Sequence, residues 1–206
     1  MTLYEYLIDK YGYNEPILSS EITFRNYSKA WIFKELNRLC DEKQLLRFEK
    51  GIYYIPTQTV LGLSVLNPQK VIEKKYVQSG GNVFGYYSGQ TFLNKLGLST
   101  QMPNVVEIYT NNESAKVRDI NVGNLNVRLR RSRVTVNNKN VAALSFLELM
   151  NSFPADFMDE YKRRAIDEYI SKNNISRADI TKYAPQFPDK AMRNMIESEV
   201  IYSVTQ

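Results

Sequence analysis

The 206-residue chain contains no histidine and a single cysteine, Cys40. The lack of histidine removes the commonest general base and every Ser–His or Cys–His nucleophile pair. One thiol without imidazoles cannot complete a structural zinc site, and Cys40 alone cannot close an internal disulfide. No apolar run approaches the length that crosses a bilayer, and the opening MTLYEYLIDKYGY carries acids early, unlike a secretory signal. These absences lead to the expectation of a soluble, cytoplasmic protein with no cofactor, no metal site and no membrane association.

Carboxylate-and-magnesium catalysis needs no histidine. A nuclease of that kind would place an acid on one strand and an acid-x-lysine step on the next. Glu107 and Asp119 fall on predicted strands, but Ile108 and Tyr109 follow Glu107 and no lysine does. Gly80-Gly81 with Gly85 lacks the Lys-Ser/Thr ending of a phosphate loop and reads as turn chemistry. The chain is therefore expected not to be an enzyme.

What is present is a basic middle. Net charge is +5 overall, with zero over residues 1–56, +6 over 57–153 and −1 over 154–206. Such a distribution fits a polyanionic partner. The densest basic run is Arg128, Arg130, Arg131 and Arg133. Strand alternation puts Arg128 and Arg130 on a wet face opposite Val127 and Leu129. That patch could extend a DNA footprint, act on an RNA or protein target, or simply guard a strand edge.

Local signals order the chain into two domains, 1–56 and 57–206. In the first, Thr2 caps a helix ended by Gly12, and Ser19 or Ser20 caps a short helix near Glu21–Phe24. Ser28 caps a helix over 29–43, followed by strands over 44–48 and 52–55 that turn at Gly51. Three helices and a hairpin in this order predict a winged helix-turn-helix. On the third helix Ile32, Phe33, Leu36, Leu39 and Cys40 are expected to face inward, with Trp31, Lys34, Asn37 and Arg38 on other sides. The candidate DNA contacts are Tyr27, Ser28, Lys29, Lys34, Asn37 and Arg38, with Arg47 and Lys50 on the wing. The plainer alternative is a helical bundle with a hairpin in which Trp31 is core.

The second domain is expected to be α+β, a small antiparallel sheet packed by helices and ending in helices. Its strands are placed at 105–110, 116–122 and 125–134, with a turn at Gly123. Its helices are placed at 68–76 (capped by Asn67), 90–96, 142–150, 155–172, 176–183 and 189–204. In Tyr53-Tyr54 and Tyr86-Tyr87, alternation predicts one buried and one exposed ring per pair.

Two stretches together resemble the AbiEi-type antitoxin family of type IV toxin–antitoxin (abortive-infection) systems. One is LNRLCDEKQLLRFEKGIYYIP, residues 36–56, a leucine-rich helix running into a basic strand and a Gly-aromatic strand that ends in proline. The other is GYYSGQTFLNKLGLSTQMPNVVEIYTNN, residues 85–112, followed by basic strands and ALSFLELMNSF, residues 143–153. The resemblance implies a transcriptional autorepressor that binds double-stranded DNA at inverted repeats in its own promoter. It further implies neutralisation of a nucleotidyltransferase-like toxin without a stable complex. No Gly-Ser dipeptide occurs, so the toxin's own signature is absent. The neutral charge of residues 1–56 departs from expectation for a strong DNA binder. A protein-interaction module, or an orphan regulator without a toxin, is the other reading.

Overall fold

The computed structural model describes residues 1–204 and divides into two compact units, Met1–Lys74 and a second beginning at Lys75. Both mix helices with short strands, an α+β architecture. The first unit extends well past residue 56, where the sequence had suggested a boundary.

The first unit opens with α1 (Leu3–Tyr11). Thr2 and Glu5 form a reciprocal capping box, and Gly12, with φ +75°, ends the helix. Strand β1 (Ile17–Leu18) follows. The helix expected near Glu21–Phe24 is instead a 3-10 turn, Ser19–Glu21, without a side-chain cap. Helix α2 (Lys29–Asp41) begins where Ser28 Oγ accepts the Trp31 N–H at 3.2 Å. Strands β2 (Leu46–Glu49) and β3 (Ile52–Tyr54) form an antiparallel hairpin, with β1 on the other side of β3. Gly51 turns the hairpin at φ +80°, a conformation other residues rarely adopt. Leu3, Leu7, Ile17, Ile22, Ile32, Leu36, Leu39, Leu45 and Tyr53 belong to one core cluster. A second small hairpin, β4 (Gln58–Thr59) and β5 (Gly62–Leu63), follows. Then α3 (Pro68–Ile72), capped by Asn67, runs into a π-helical turn, Glu73–Val77.

The second unit begins with a hairpin of β6 (Gln78–Ser79) and β7 (Asn82–Val83), so Gly80 and Gly81 are turn residues. Residues 85–88 form β8 (Gly85–Ser88), leading into α4 (Gly89–Lys95), with Gly97 left-handed at φ +71°. Strands β9 (Val106–Thr110), β10 (Val117–Val122) and β11 (Leu125–Arg131) complete a four-stranded sheet of order β10-β11-β9-β8. The β10–β11 pair is antiparallel, as expected; β8, a strand the sequence did not suggest, also pairs antiparallel with β9, but the central β9–β11 pair is parallel. Parallel neighbours need a crossover, and here β10 supplies it.

Helix α5 (Val141–Ser152) is buried continuously from Ala143 to Met150 and packs on β8. Helices α6 (Glu160–Lys172), α7 (Arg177–Tyr183) and α8 (Asp189–Glu197) follow, and α7 and α8 pack on α5. The long helices expected over 155–172 and 189–204 are each broken: a separate 3-10 turn, Ala155–Phe157, precedes α6, and another, Val200–Ser203, follows α8. Among the described residues no helix is long and apolar enough to cross a membrane.

Candidate nucleic-acid interface

Helix α2 has one buried stripe, Ile32, Leu36 and Leu39, and an open face of Phe33, Lys34, Asn37 and Arg38. Two of the expected orientations are reversed. Trp31 is half-buried against the core, and Phe33, expected inward, is 44% exposed. Trp31 and Phe33 flank Ile32 by about 100° on either side, so periodicity alone does not choose between them. The preceding segment does. Tyr27 stacks on Trp31 with ring centroids 3.9 Å apart, and Phe24 stacks on both. This aromatic column draws Trp31 in and leaves Phe33 in solvent.

The eight candidate residues of this unit divide by whether their polar groups are already engaged. Lys29 Nζ donates to the carbonyls of Ser20 (3.2 Å) and Ile22 (2.9 Å), which ties the helix start to the turn before it. Ser28 Oγ serves as the cap, and Tyr27 contributes its ring to the stack. Arg38 Nε donates to both oxygens of Glu35 at 3.0 and 3.1 Å, and its guanidinium also pairs with Glu42. The hydrogen bond from Arg38 holds the Glu35 carboxyl below its usual range. Arg38 is thus exposed but matched by two acids.

Lys34 and Asn37 make no side-chain hydrogen bond or ion pair among the described residues, and both point to solvent. On the β2–β3 hairpin Arg47 is exposed, its Nε reaching only the Glu49 carbonyl at 3.4 Å, and Lys50 is exposed at the turn. Donors for phosphate or base edges are therefore carried by Lys34, Asn37, Arg47 and Lys50.

In the second unit the arginine run lies as alternation predicts, with Val127 and Leu129 buried and Arg128 and Arg130 on the opposite face. Sheet register brings acids to those arginines. Asp119 lies directly across from Arg128, and the two bond bidentately at 2.8 and 2.9 Å. The hydrogen bond from Arg128 holds the Asp119 carboxyl low. Arg130 lies 3.6 Å from Glu107, and Arg133 lies 3.6 Å from Glu148 while stacking over Tyr109 and Phe187. Only Arg131, exposed at the strand end, has no ion pair among the described residues.

Sequence reasoning passed over the buried polar cluster beneath this patch. Glu148 is 4% exposed within an otherwise apolar helix. It accepts from Tyr109 Oη at 3.3 Å and Asn151 Nδ2 at 3.0 Å. Burial first, then the Glu148 carboxylate, pushes the phenols of Tyr86 and Tyr109 upward. The lone acid in VAALSFLELM was the available signal. The tyrosine pairs also depart from expectation, because Tyr53, Tyr54, Tyr86 and Tyr87 are all buried. Both strands are covered on two faces, so alternation exposes neither ring.

Among the described residues no group of three or more Cys, Asp or Glu side chains could hold a metal ion. No curated protein and no solved structure matches the chain. A family model described as a family of unknown function (DUF6088) matches residues 18–177.

Proposed function

Starting from a chain that belongs to this family of unknown function, we propose that the first unit is a winged helix-turn-helix that binds double-stranded DNA. In this reading α2 enters the major groove and the β2–β3 hairpin is the wing. The observation that carries it is the open face of α2, where Lys34 and Asn37 stand unengaged beside exposed Phe33. Asn can read adenine bidentately, Phe can meet a thymine methyl, and Lys can hold guanine or phosphate. Arg47 and Lys50 add backbone contacts from the hairpin.

The resemblance of residues 36–56 and 85–112 to AbiEi-type antitoxins extends the proposal to a cytoplasmic autorepressor that acts as antitoxin to a nucleotidyltransferase-like toxin and is not itself an enzyme. Its operator would be an inverted repeat in its own promoter. Under this reading the second unit carries the antitoxin role, with Arg131 as the open cation of its basic strand.

A labelled duplex from upstream of the protein's own gene tests the proposal, titrated with scrambled competitor at several salt concentrations. The expected result is competitor-resistant binding that weakens steeply with salt. Absence of any shift at low salt would sink the DNA reading and favour a protein-binding role.

A further inference from the structure

We infer that the β4–β5 hairpin is a self-association surface on which two copies of this chain pair. Val60 and Leu61, at its tip, are 103% and 100% exposed, and Val65 beside them is 83% exposed. Leu63 adds a partly open face on the same ribbon. Hairpin tips ordinarily carry Asn, Asp or Gly, which suit the turn and solvent. A valine and a leucine there present apolar surface with nothing of their own chain against it.

The projection is firmly built at its base. Thr57 N–H donates to Ser64 Oγ at 2.8 Å, and Ser64 N–H to the Thr57 carbonyl at 2.9 Å. Tyr54 Oη donates to the Ser64 carbonyl at 3.1 Å, and Asn14 Nδ2 to Thr57 Oγ1 at 3.0 Å. Beyond that anchored base stand two strands of two residues each, and a ribbon so short is marginal without something packed on it.

Charge selects the occupant. From Gly51 to Gln69 there is no Asp, Glu, Lys or Arg, in a chain whose net charge is +5. Two copies can therefore approach along this segment without the like-charge repulsion their other surfaces impose. Phe33, Tyr161 and Ile196, which are also exposed, each neighbour a charged residue in sequence. A neutral apolar ribbon is complementary to another neutral apolar surface, and a two-fold axis supplies one from the second copy. Covering these four side chains in both copies would remove on the order of 1,000 Å² from water, about the least that a specific interface buries. The hairpin follows the end of β3 remote from the Gly51 turn, so pairing leaves Lys50 uncovered. The inference goes beyond the DNA reading and does not depend on it.

Sedimentation velocity across a dilution series tests it on the full chain, on the double variant Val60→Asp/Leu61→Asp, and on Met102→Asp. Met102 is 86% exposed and belongs to the second unit. The wild type and Met102→Asp should sediment as dimers that dissociate together on dilution. The hairpin variant should raise the dissociation constant about 100-fold or more, since like charges would face each other across the contact. Its circular dichroism should match the wild type, because both tip side chains are fully exposed. A wild type monomeric at every concentration, or a hairpin variant as dimeric as the wild type, would overturn the inference. DNA mobility shifts on the same samples separate the two readings: a monomer that shifts DNA sinks only the pairing, and a dimer that does not sinks only the DNA reading.

Discussion

Replacing Lys34 with alanine should flatten the salt dependence of DNA binding, whereas replacing Arg38 should not. On its proposed face the first unit offers three exposed cations that are neither in a salt bridge nor tied down by paired backbone carbonyls as Lys29 is: Lys34, Arg47 and Lys50. Each phosphate neutralised contributes a slope of about −0.9 in log K against log salt, so the wild type should show about −2.7 per chain. Between about 50 and 200 mM salt that slope weakens binding roughly 40-fold. Lys34→Ala should reduce the slope to about −1.8 and the weakening to roughly 12-fold. The Arg38 charge is already met by Glu35 and Glu42, so Arg38→Ala should leave the slope near the wild-type value. Converting both acids to glutamine should release Arg38 and steepen the slope to about −3.6. Fluorescence anisotropy on one duplex at four or more salt concentrations reads all of these. If Arg38→Ala flattened the slope as much as Lys34→Ala, the division of this face into engaged and open cations would be wrong.

Two further outcomes concern the second unit. A Cβ on Gly85 would lie 2.0 Å from the Tyr76 carbonyl oxygen and 2.8 Å from that of Tyr109. Neither backbone atom can swing away, so Gly85→Ala should destabilise this unit by more than about 3 kcal/mol in urea unfolding, and a loss below about 1 kcal/mol would contradict the packing described. Burial pushes the Tyr169 phenol up to about 12 from an ordinary 10.0. The folded form thus holds its proton where the unfolded form has lost it, so stability is complete below pH 10 and lost as pH rises toward 12. Tyr169→Phe should remove about 3 kcal/mol of that alkaline decline, followed by urea midpoints across the range. An unchanged alkaline limb in the variant would assign the decline to other groups.

How far the sequence foretold this structure depends on the range of the interactions involved. Helix starts at Thr2, Ser28, Asn67 and Ser176 were readable because a cap and the N–H it satisfies lie within three residues. The Gly51 and Gly123 turns were readable for the same reason. The orientation of Trp31 against Phe33 was not, since it is decided by rings at Phe24 and Tyr27 from outside the helix. The parallel β9–β11 pair was also hidden, because hydrophobic alternation reports which face is buried and not which neighbour a strand adopts. Within the candidate site, Lys34, Asn37, Arg47 and Lys50 were open as expected. Lys29 and Arg38 could be identified as cations, but their partners could not. The same holds for the arginine run, whose acids arrive from β10, β9 and α5, each distant in sequence or across a register that local patterns do not encode.

The electrical neutrality of residues 1–56 had stood against DNA binding, and the structure changes what that neutrality means. A net charge counts every ion equally, whereas a polyanion meets only those left unmatched at the surface. Arg38 is matched by Glu35 and Glu42, and Lys29 is occupied with backbone carbonyls. Glu15 and Glu21 are matched in turn by Lys70 and Lys74, cations that lie beyond residue 56 but inside the same compact unit. Acids of the first fifty-six residues are thus neutralised by bases outside that count, while Lys34, Arg47 and Lys50 keep their charge. The unit's effective surface is more basic than its tally. Even so, three open cations on the proposed face make only a modest electrostatic hold, since non-specific affinity grows with the number of phosphates neutralised. Under the DNA reading, discrimination must then rest on Asn37 and Phe33 at base edges, and substitutions there should change which sequence is bound more than how steeply binding falls with salt.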